Sequence, residues 1–230
     1  TASQVRWARA AGFEHVSVDL IYGSPAESDA DLAVTLDEVV AADLDHVSAY
    51  SLIVEPGTRL AARVNRGQAP PASDDVAAHR YVVIDAALRA AGFAWYEVSN
   101  WSKPGGQCQH NLGYWRGGDW LGIGPGAHAH RAGLRRWNIK HPAAWAAAVD
   151  RGQDPAAGSE QVDAEGRRRE SIMLGLRLAE GIDADVLDDQ GAAAAAYAQA
   201  QGLLVARPGG WVLTDAGRLM ADAVVAQLWG

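Results

Sequence analysis

Between residues 108 and 130 the sequence CQHNLGYWRGGDWLGIGPGAHAH gathers the only cysteine, three of the seven histidines and two of the nine tryptophans among glycines. Thiolates and imidazoles ligate iron and other transition metals. Flat aromatic rings wall planar apolar ligands, and glycine lets backbone come close to them. Cys108 and His110 lie two apart, a spacing that on an extended loop points both side chains the same way. Singly, each residue has an ordinary reading: a packed thiol, a hydrogen-bonded imidazole, Tyr114 and Trp115 as core filling. Together, a ligand atom, planar walls and close backbone suit a tetrapyrrole with propionate groups. GIGPGAHAH could turn several backbone N–H groups toward an anion, but it does not open a helix after a strand as a dinucleotide fingerprint does.

A second set of chemical groups stands at strand ends, where the loops of parallel α/β sheets converge on ligands. VSVDLIYGSP places Asp19 opposite Val16, Val18 and Leu20 and is followed by Tyr22 and Gly23, while WYEVSNW ends with Glu97, Ser99 and Asn100. A carboxylate on a buried strand costs several kcal/mol unless hydrogen-bonded. Asp19 is therefore expected either to cap a neighbouring loop or to meet a ligand.

The elements that position these groups follow from periodicity. RAAGFEHVSVDL at 9–20 is echoed by RAAGFAWYEVSN at 89–100, each a helical end, a glycine suited to a left-handed cap, and an alternating strand. Between them Ser28 is a fitting N-cap for a helix that buries Leu32, Leu36, Val39 and Val40, and HVSAYSLIV at 46–54 reads as a further strand. The helix over DDVAAHRYVVIDAALRAAG is expected to bury Val76, Tyr81, Val83, Ile84 and Leu88. Strands alternating with helices predict a parallel sheet, and three strands are too few to close a barrel. Residues 141–162 read as an Ala-rich helix and a Gly/Pro/Ser/Asp linker. Residues 163–230 read as a second unit, in which Ile172, Met173, Leu176 and Leu178 face a core, AAAAAYAQA is plain helix, and Thr214 or Asp215 caps a last helix after a short hairpin. Helices followed by a small hairpin have a winged-helix shape.

A net charge of −8 gives no overall attraction to nucleic acid. Arg167, Arg168 and Arg169 could form a phosphate patch on a winged helix, though such a run is more often a solvated helix face. No apolar run is long enough for a membrane span and no signal peptide opens the chain, so a cytoplasmic protein is expected, with no transmembrane segment. A single cysteine forms no internal disulfide and cannot by itself assemble an iron–sulfur or zinc site.

The ordered motifs VDLIYGSP, YSLIVEPGT, YEVSNW, CQHNLGYW and GIGPGAHA, followed by MLGLRLAEGI and GLL…LTDAGRLMAD, resemble the oxygen-independent coproporphyrinogen III oxidase-like family of radical SAM proteins, and more narrowly its HemW heme chaperone branch. The resemblance implies an α/β fold, the C-terminal half of a partial (β/α)6 radical SAM barrel over 1–140 followed by a helical, winged-helix C-terminal domain. It implies a [4Fe-4S] cluster on a CxxxCxxC loop, S-adenosylmethionine across the strand ends with Asp19 as one contact, and heme near His110, Asn111, Tyr114 and Trp115, the HNxxYW signature of the chaperones. The iron ligand would be His110 or Cys108. This chain has no CxxxCxxC, so no cluster ligands, and the resemblance places its start just before the fourth barrel strand. The strand of Asp19 is then expected to show an unpaired edge and to be prone to aggregation or dependent on a partner. The implied function is to bind heme and deliver it to apo-proteins of the respiratory chain, with homodimerisation and peripheral membrane association left open. The alternatives are oxidative decarboxylation of coproporphyrinogen III and a DNA-binding winged helix.

Overall fold

The computed structural model describes residues 2–229, which separate into two compact units meeting in sequence between Cys108 and Gln109. In the first unit the order is α1 (Ala2–Ala10), β1 (Ser17–Tyr22), α2 (Asp29–Val40), β2 (His46–Ser51), α3 (Arg59–Asn65), α4 (Asp74–Ala90), β3 (Ala94–Glu97) and β4 (Asn100–Ser102). Ser28 closes a capping box with Asp31 at the start of α2, and Leu32, Leu36 and Val39 are buried as its period requires, while Val40 is exposed. Gly12 and Gly92, the glycines of the sequence echo, both take positive φ, at 91° and 86°. That conformation favours glycine and stops α1 and α4 where the next strand must begin.

The sheet order is β1-β2-β4-β3, with β1 parallel to β2 but β2–β4 and β4–β3 antiparallel. The all-parallel expectation is corrected here, because residues 94–102 reverse on a tight turn instead of running on as one strand. The second arm of that hairpin is what pairs with β2. No closed barrel forms among the described residues, and β1 lies at the sheet edge with Ile21 61% exposed.

Pairing fixes two faces. Val18, Val47, Trp101 and Trp95 stand in one row, and this face packs with Leu36, Ile84, Leu88 and Phe93 into the core beneath α2 and α4. On α4, Val76 and Val83 are exposed, contrary to expectation, and the buried positions include Arg80 and Asp85. Both charges are compensated: Arg80 Nη1 donates to Glu27 Oε2 at 2.5 Å, and Asp85 pairs with Arg89 Nε at 3.0 Å while accepting from Trp101 Nε1 at 2.7 Å. Ion pairing keeps the helical period while placing polar residues inside.

The second unit contains α5 (Gln109–Trp115), β5 (His128–Arg131), β6 (Leu134–Asn138), α6 (Pro142–Asp150), β7 (Ala156–Gln161), α7 (Ala164–Gly175), β8 (Ile182–Asp183), α8 (Asp189–Ala200), β9 (Leu204–Arg207), β10 (Gly210–Leu213), α9 (Asp215–Leu219) and α10 (Ala221–Leu228). The supposed linker is largely β7, third strand of an antiparallel β5-β6-β7 sheet. Its Gly/Ser composition fits the side-chain room available, since a Cβ on Gly158 would lie 2.5 Å from the Trp137 ring. Beyond it, Ile172 of α7, Leu176 at its C-cap and Val224, Val225 and Leu228 of α10 form a core with the β8-β10-β9 sheet, Met173 packing at its margin. Leu178 is buried too, and Thr214 is the residue that caps α9, through Gly217 N–H. No helix among the described residues is long and apolar enough to cross a membrane.

Candidate functional site

The face of the first sheet opposite its core is polar. Register aligns Asp19 with Ser48, Asn100 and Glu97, and Ser17 with His46 and Ser102. The signal was present in the sequence as the alternation His46-Val47-Ser48 and Asn100-Trp101-Ser102, but only Asn100, Glu97 and Asp19 could be singled out before the strands were paired. Asp19 is exposed on the edge strand, so the burial that would have forced a partner on it does not apply. His46, Ser48, Glu97, Asn100 and Ser102 are instead the buried members.

Three atoms of this face have no hydrogen-bond partner among the described residues: His46 Nδ1, Asn100 Oδ1 and Ser102 Oγ. Leaving a buried polar atom unsatisfied costs about 1–3 kcal/mol, so three on one face favour a polar ligand or ordered water there. The other imidazole nitrogen, His46 Nε2, lies 2.8 Å from Tyr96 Oη, which accepts from Cys108 N–H at 3.3 Å. This chain of contacts ties the end of the first unit to its polar face. Cys108 itself is exposed and free.

Burial lowers the His46 pKa below its ordinary 6.5, opposed by the attraction of Asp19. The folded protein therefore holds His46 neutral where the unfolded chain takes up a proton. The resulting stability is complete above the ordinary imidazole value and is lost as pH falls through the lower folded one. Urea unfolding at a series of pH values is expected to show this acid loss in the parent and a flatter profile in His46→Gln. Superimposable profiles would refute the assignment.

In the second unit, residues 109–115 are helical where an extended loop was expected, so the two-residue spacing of Cys108 and His110 does not point them to one side. The glycines explain the change. Gly117 takes φ 67°, its N–H donates to Tyr114 O at 3.0 Å, and Gly118 N–H donates to Gly113 O at 2.8 Å. These are the two bonds of a Schellman cap, so the glycines end a helix rather than loosen a loop.

Helical spacing brings His110 and Tyr114 together, four residues apart on one face. Their rings meet edge-on with centroids 4.8 Å apart, and Tyr114 Oη lies 3.3 Å from His110 Nε2. Tyr114 then contacts Trp120 at 4.9 Å, and Trp120 contacts His130 at 4.9 Å. Trp120 and His130 are held opposite each other by paired backbone bonds, and His130 Nδ1 donates to Gly118 O at 3.1 Å. The result is a ladder of two imidazoles and two aromatic rings, with His110 exposed at its outer end. Asn111 is half-buried beside it, and Trp115 lies on a different side of the helix with its Nε1 buried and unpartnered. Trp120 and His130 were missed as site residues because only cross-strand pairing joins them to the helix. Leu121 and Ile123 follow Trp120 and are 78% and 86% exposed, an apolar surface continuing from the ladder in sequence.

The glycine-rich turn does not present its amides to an anion. Gly126 N–H donates to Ile139 O and Ala127 N–H to Gly124 O, while Asn138 Nδ2 binds the carbonyls of Gly122 and Gly124. The arginine run is likewise divided. Arg168 and Arg169 both bond Glu165, and Arg168 also pairs with Asp188. Arg167 takes another direction and donates to Val162 O at 2.8 Å.

Asp19 and Cys108 thus belong to the first unit and His110, Asn111, Tyr114 and Trp115 to the second. The donor set fits a single imidazole-ligated planar group but not a [4Fe-4S] cluster, which needs three thiolates where this chain has one. Among the described residues no three His, Cys, Asp or Glu side chains cluster as metal ligands.

Residues 162–220 match the family model described as the HemN C-terminal domain. The chain is 52% identical over 221 residues to "Heme chaperone HemW" of Mycobacterium tuberculosis (strain ATCC 25618 / H37Rv), covering 96% of the chain and 57% of that protein. It is 31% identical over 175 residues to "Heme chaperone HemW" of Bacillus subtilis (strain 168), covering 76% of the chain and 46% of that protein. To "Radical S-adenosyl methionine domain-containing protein 1, mitochondrial" of Mus musculus it is 44% identical over 113 residues, 49% of the chain and 26% of that protein. In structure it is similar to the coproporphyrinogen III oxidase HemN of Escherichia coli, with a TM-score of 0.79 at 19% identity over 99% of this chain and 57% of that one. At that identity the likeness speaks for fold alone. The chain spans a little over half the length of the first of these relatives.

Proposed function

The chain belongs to the HemW branch of the HemN-like radical SAM family, and on that premise we propose that it binds heme through the second unit and hands it to recipient proteins. The observation that carries this reading is the His110–Tyr114–Trp120–His130 ladder, with an exposed imidazole at its end. His110 would hold the iron, and Tyr114 and Trp120 would offer flat apolar surface to the macrocycle. Heme, when bound, would supply an iron that an imidazole side chain such as His110 can ligate. Exposure of His110 suits transfer, because a cargo ligated at the surface can be captured by a recipient without unfolding its carrier. Cys108 remains the alternative ligand. Recipients among respiratory apo-proteins, a cytoplasmic setting, homodimerisation and peripheral membrane contact belong to the same proposal, as does S-adenosylmethionine at Asp19. Its support is the polar face with unpartnered His46, Asn100 and Ser102 atoms. The three thiolates a [4Fe-4S] cluster requires are not among this chain's residues.

Hemin titration followed at the Soret band tests the reading. The parent is expected to give a saturable shift, and His110→Ala about a tenfold weaker one with an altered peak position. A His110→Ala protein with unchanged affinity and spectrum would remove His110 as ligand. A parent with no spectral response would overturn the heme reading.

A further inference from the structure

A cavity of about 310 Å³ lies within the second unit, lined by Trp115, Arg116, His130, Arg167, Glu170 and Glu180 among others. Two of these residues belong to features already described: His130 closes the aromatic ladder, and Trp115 follows Tyr114 on α5. The cavity and the ladder therefore share a wall.

The charges around it do not cancel evenly. Glu180 is bridged by Arg116, and Glu170 is bridged by Arg135 from β6. Arg167 lines the cavity with one N–H on the Val162 carbonyl and no carboxylate partner among the described residues. Trp115 Nε1 is a buried donor without an acceptor among the described residues. His130, its side chain only 12% exposed, already donates from Nδ1 to the Gly118 carbonyl. What remains available is a guanidinium fork and an indole N–H, both donors. Guanidinium geometry matches a carboxylate through two parallel bonds, and a charged acceptor answers a buried donor better than a neutral one.

We infer that this cavity receives a carboxylate of the bound porphyrin, with Arg167 as its charged partner and Trp115 Nε1 as a second donor. The inference rests on the heme reading and deepens it by assigning the propionate end of the ligand. It also gives the arginine run a role the sequence could not apportion: Arg168 and Arg169 stabilise the helix surface through Glu165, and Arg167 alone faces the ligand.

The test compares hemin with hemin dimethyl ester, which keeps the iron and macrocycle but carries no propionate charge. Both are titrated into the full chain, Arg167→Gln, Arg167→Lys and His110→Ala. The parent is expected to prefer hemin over the diester by about tenfold or more. Arg167→Gln should lose that preference by weakening hemin alone, and Arg167→Lys should restore part of it. His110→Ala should weaken both ligands and keep the ratio. An unchanged hemin-to-diester ratio in Arg167→Gln, or an equal loss for both ligands, would overturn the assignment while leaving heme binding intact. Absence of binding by either ligand to the parent would remove the heme reading and this inference with it.

Discussion

Trp101→Ala is expected to remove most of the stability of the first unit. The side chain is fully buried in β4, in one row with Val47 and Trp95, and its ring meets Tyr81 at 5.5 Å. Truncating a buried tryptophan to alanine costs about 3–5 kcal/mol through lost transfer energy and an unfilled cavity. The indole N–H also donates to Asp85, a buried carboxylate paired as well with Arg89 at 3.0 Å, and its loss adds about 1–3 kcal/mol. Natural domains have only about 5–15 kcal/mol to lose. Urea unfolding combined with hydrogen exchange in β1, β2 and β4 measures the effect. Trp101→Phe retains most of the packing and should lose only about the hydrogen-bond contribution. A Trp101→Ala protein within about 1 kcal/mol of the parent would show that this residue does not anchor the core.

Gly181→Ala is expected to disrupt the C-terminal sheet. Gly181 has φ 70°, and a Cβ there would lie 2.0 Å from the Trp211 carbonyl and 2.5 Å from Val212 Cγ1. The left-handed backbone costs an alanine about 1–2 kcal/mol. Displacing a strand to relieve the overlap adds about 1–3 kcal/mol, because the obstructing atom is backbone and cannot swing away. The pairing of Trp211 with Ile182 across β10 and β8 is the contact that must give. Gly202 supplies the control, with φ 72° and nothing within 4 Å of its added Cβ, so Gly202→Ala should show the backbone cost alone. Thermal melts with near-ultraviolet circular dichroism of the tryptophans compare the two. Equal effects would mean that the close approach at Trp211 is absent.

The two expectations depend on different kinds of information. The strands of Asp19 and His46, the cap at Ser28, the helix stops at Gly12 and Gly92 and the ordered motifs that carry family membership were legible in the sequence. Each is a local pattern, written by period-two or period-3.6 alternation or by a residue with an unusual backbone preference. The imidazole and aromatic residues of the stretch 108–130 were legible as types, and the helix that arranges them was not. Gly113, Gly117 and Gly118 read as looseness until their hydrogen bonds showed a helix ending.

What only the tertiary structure decided is which polar groups find one another. His46 and Tyr96 are fifty residues apart in sequence, Trp120 reaches His130 across a paired strand, and Arg167 parts from Arg168 because successive helical residues point about 100° apart. The reversal at residues 98–99 placed β4 rather than β3 beside β2, and with it put Asn100 in the row of Asp19 and Ser102 in the row of His46. Strand register and chain reversal are settled by burial summed over many distant residues, so no short window of sequence contains them.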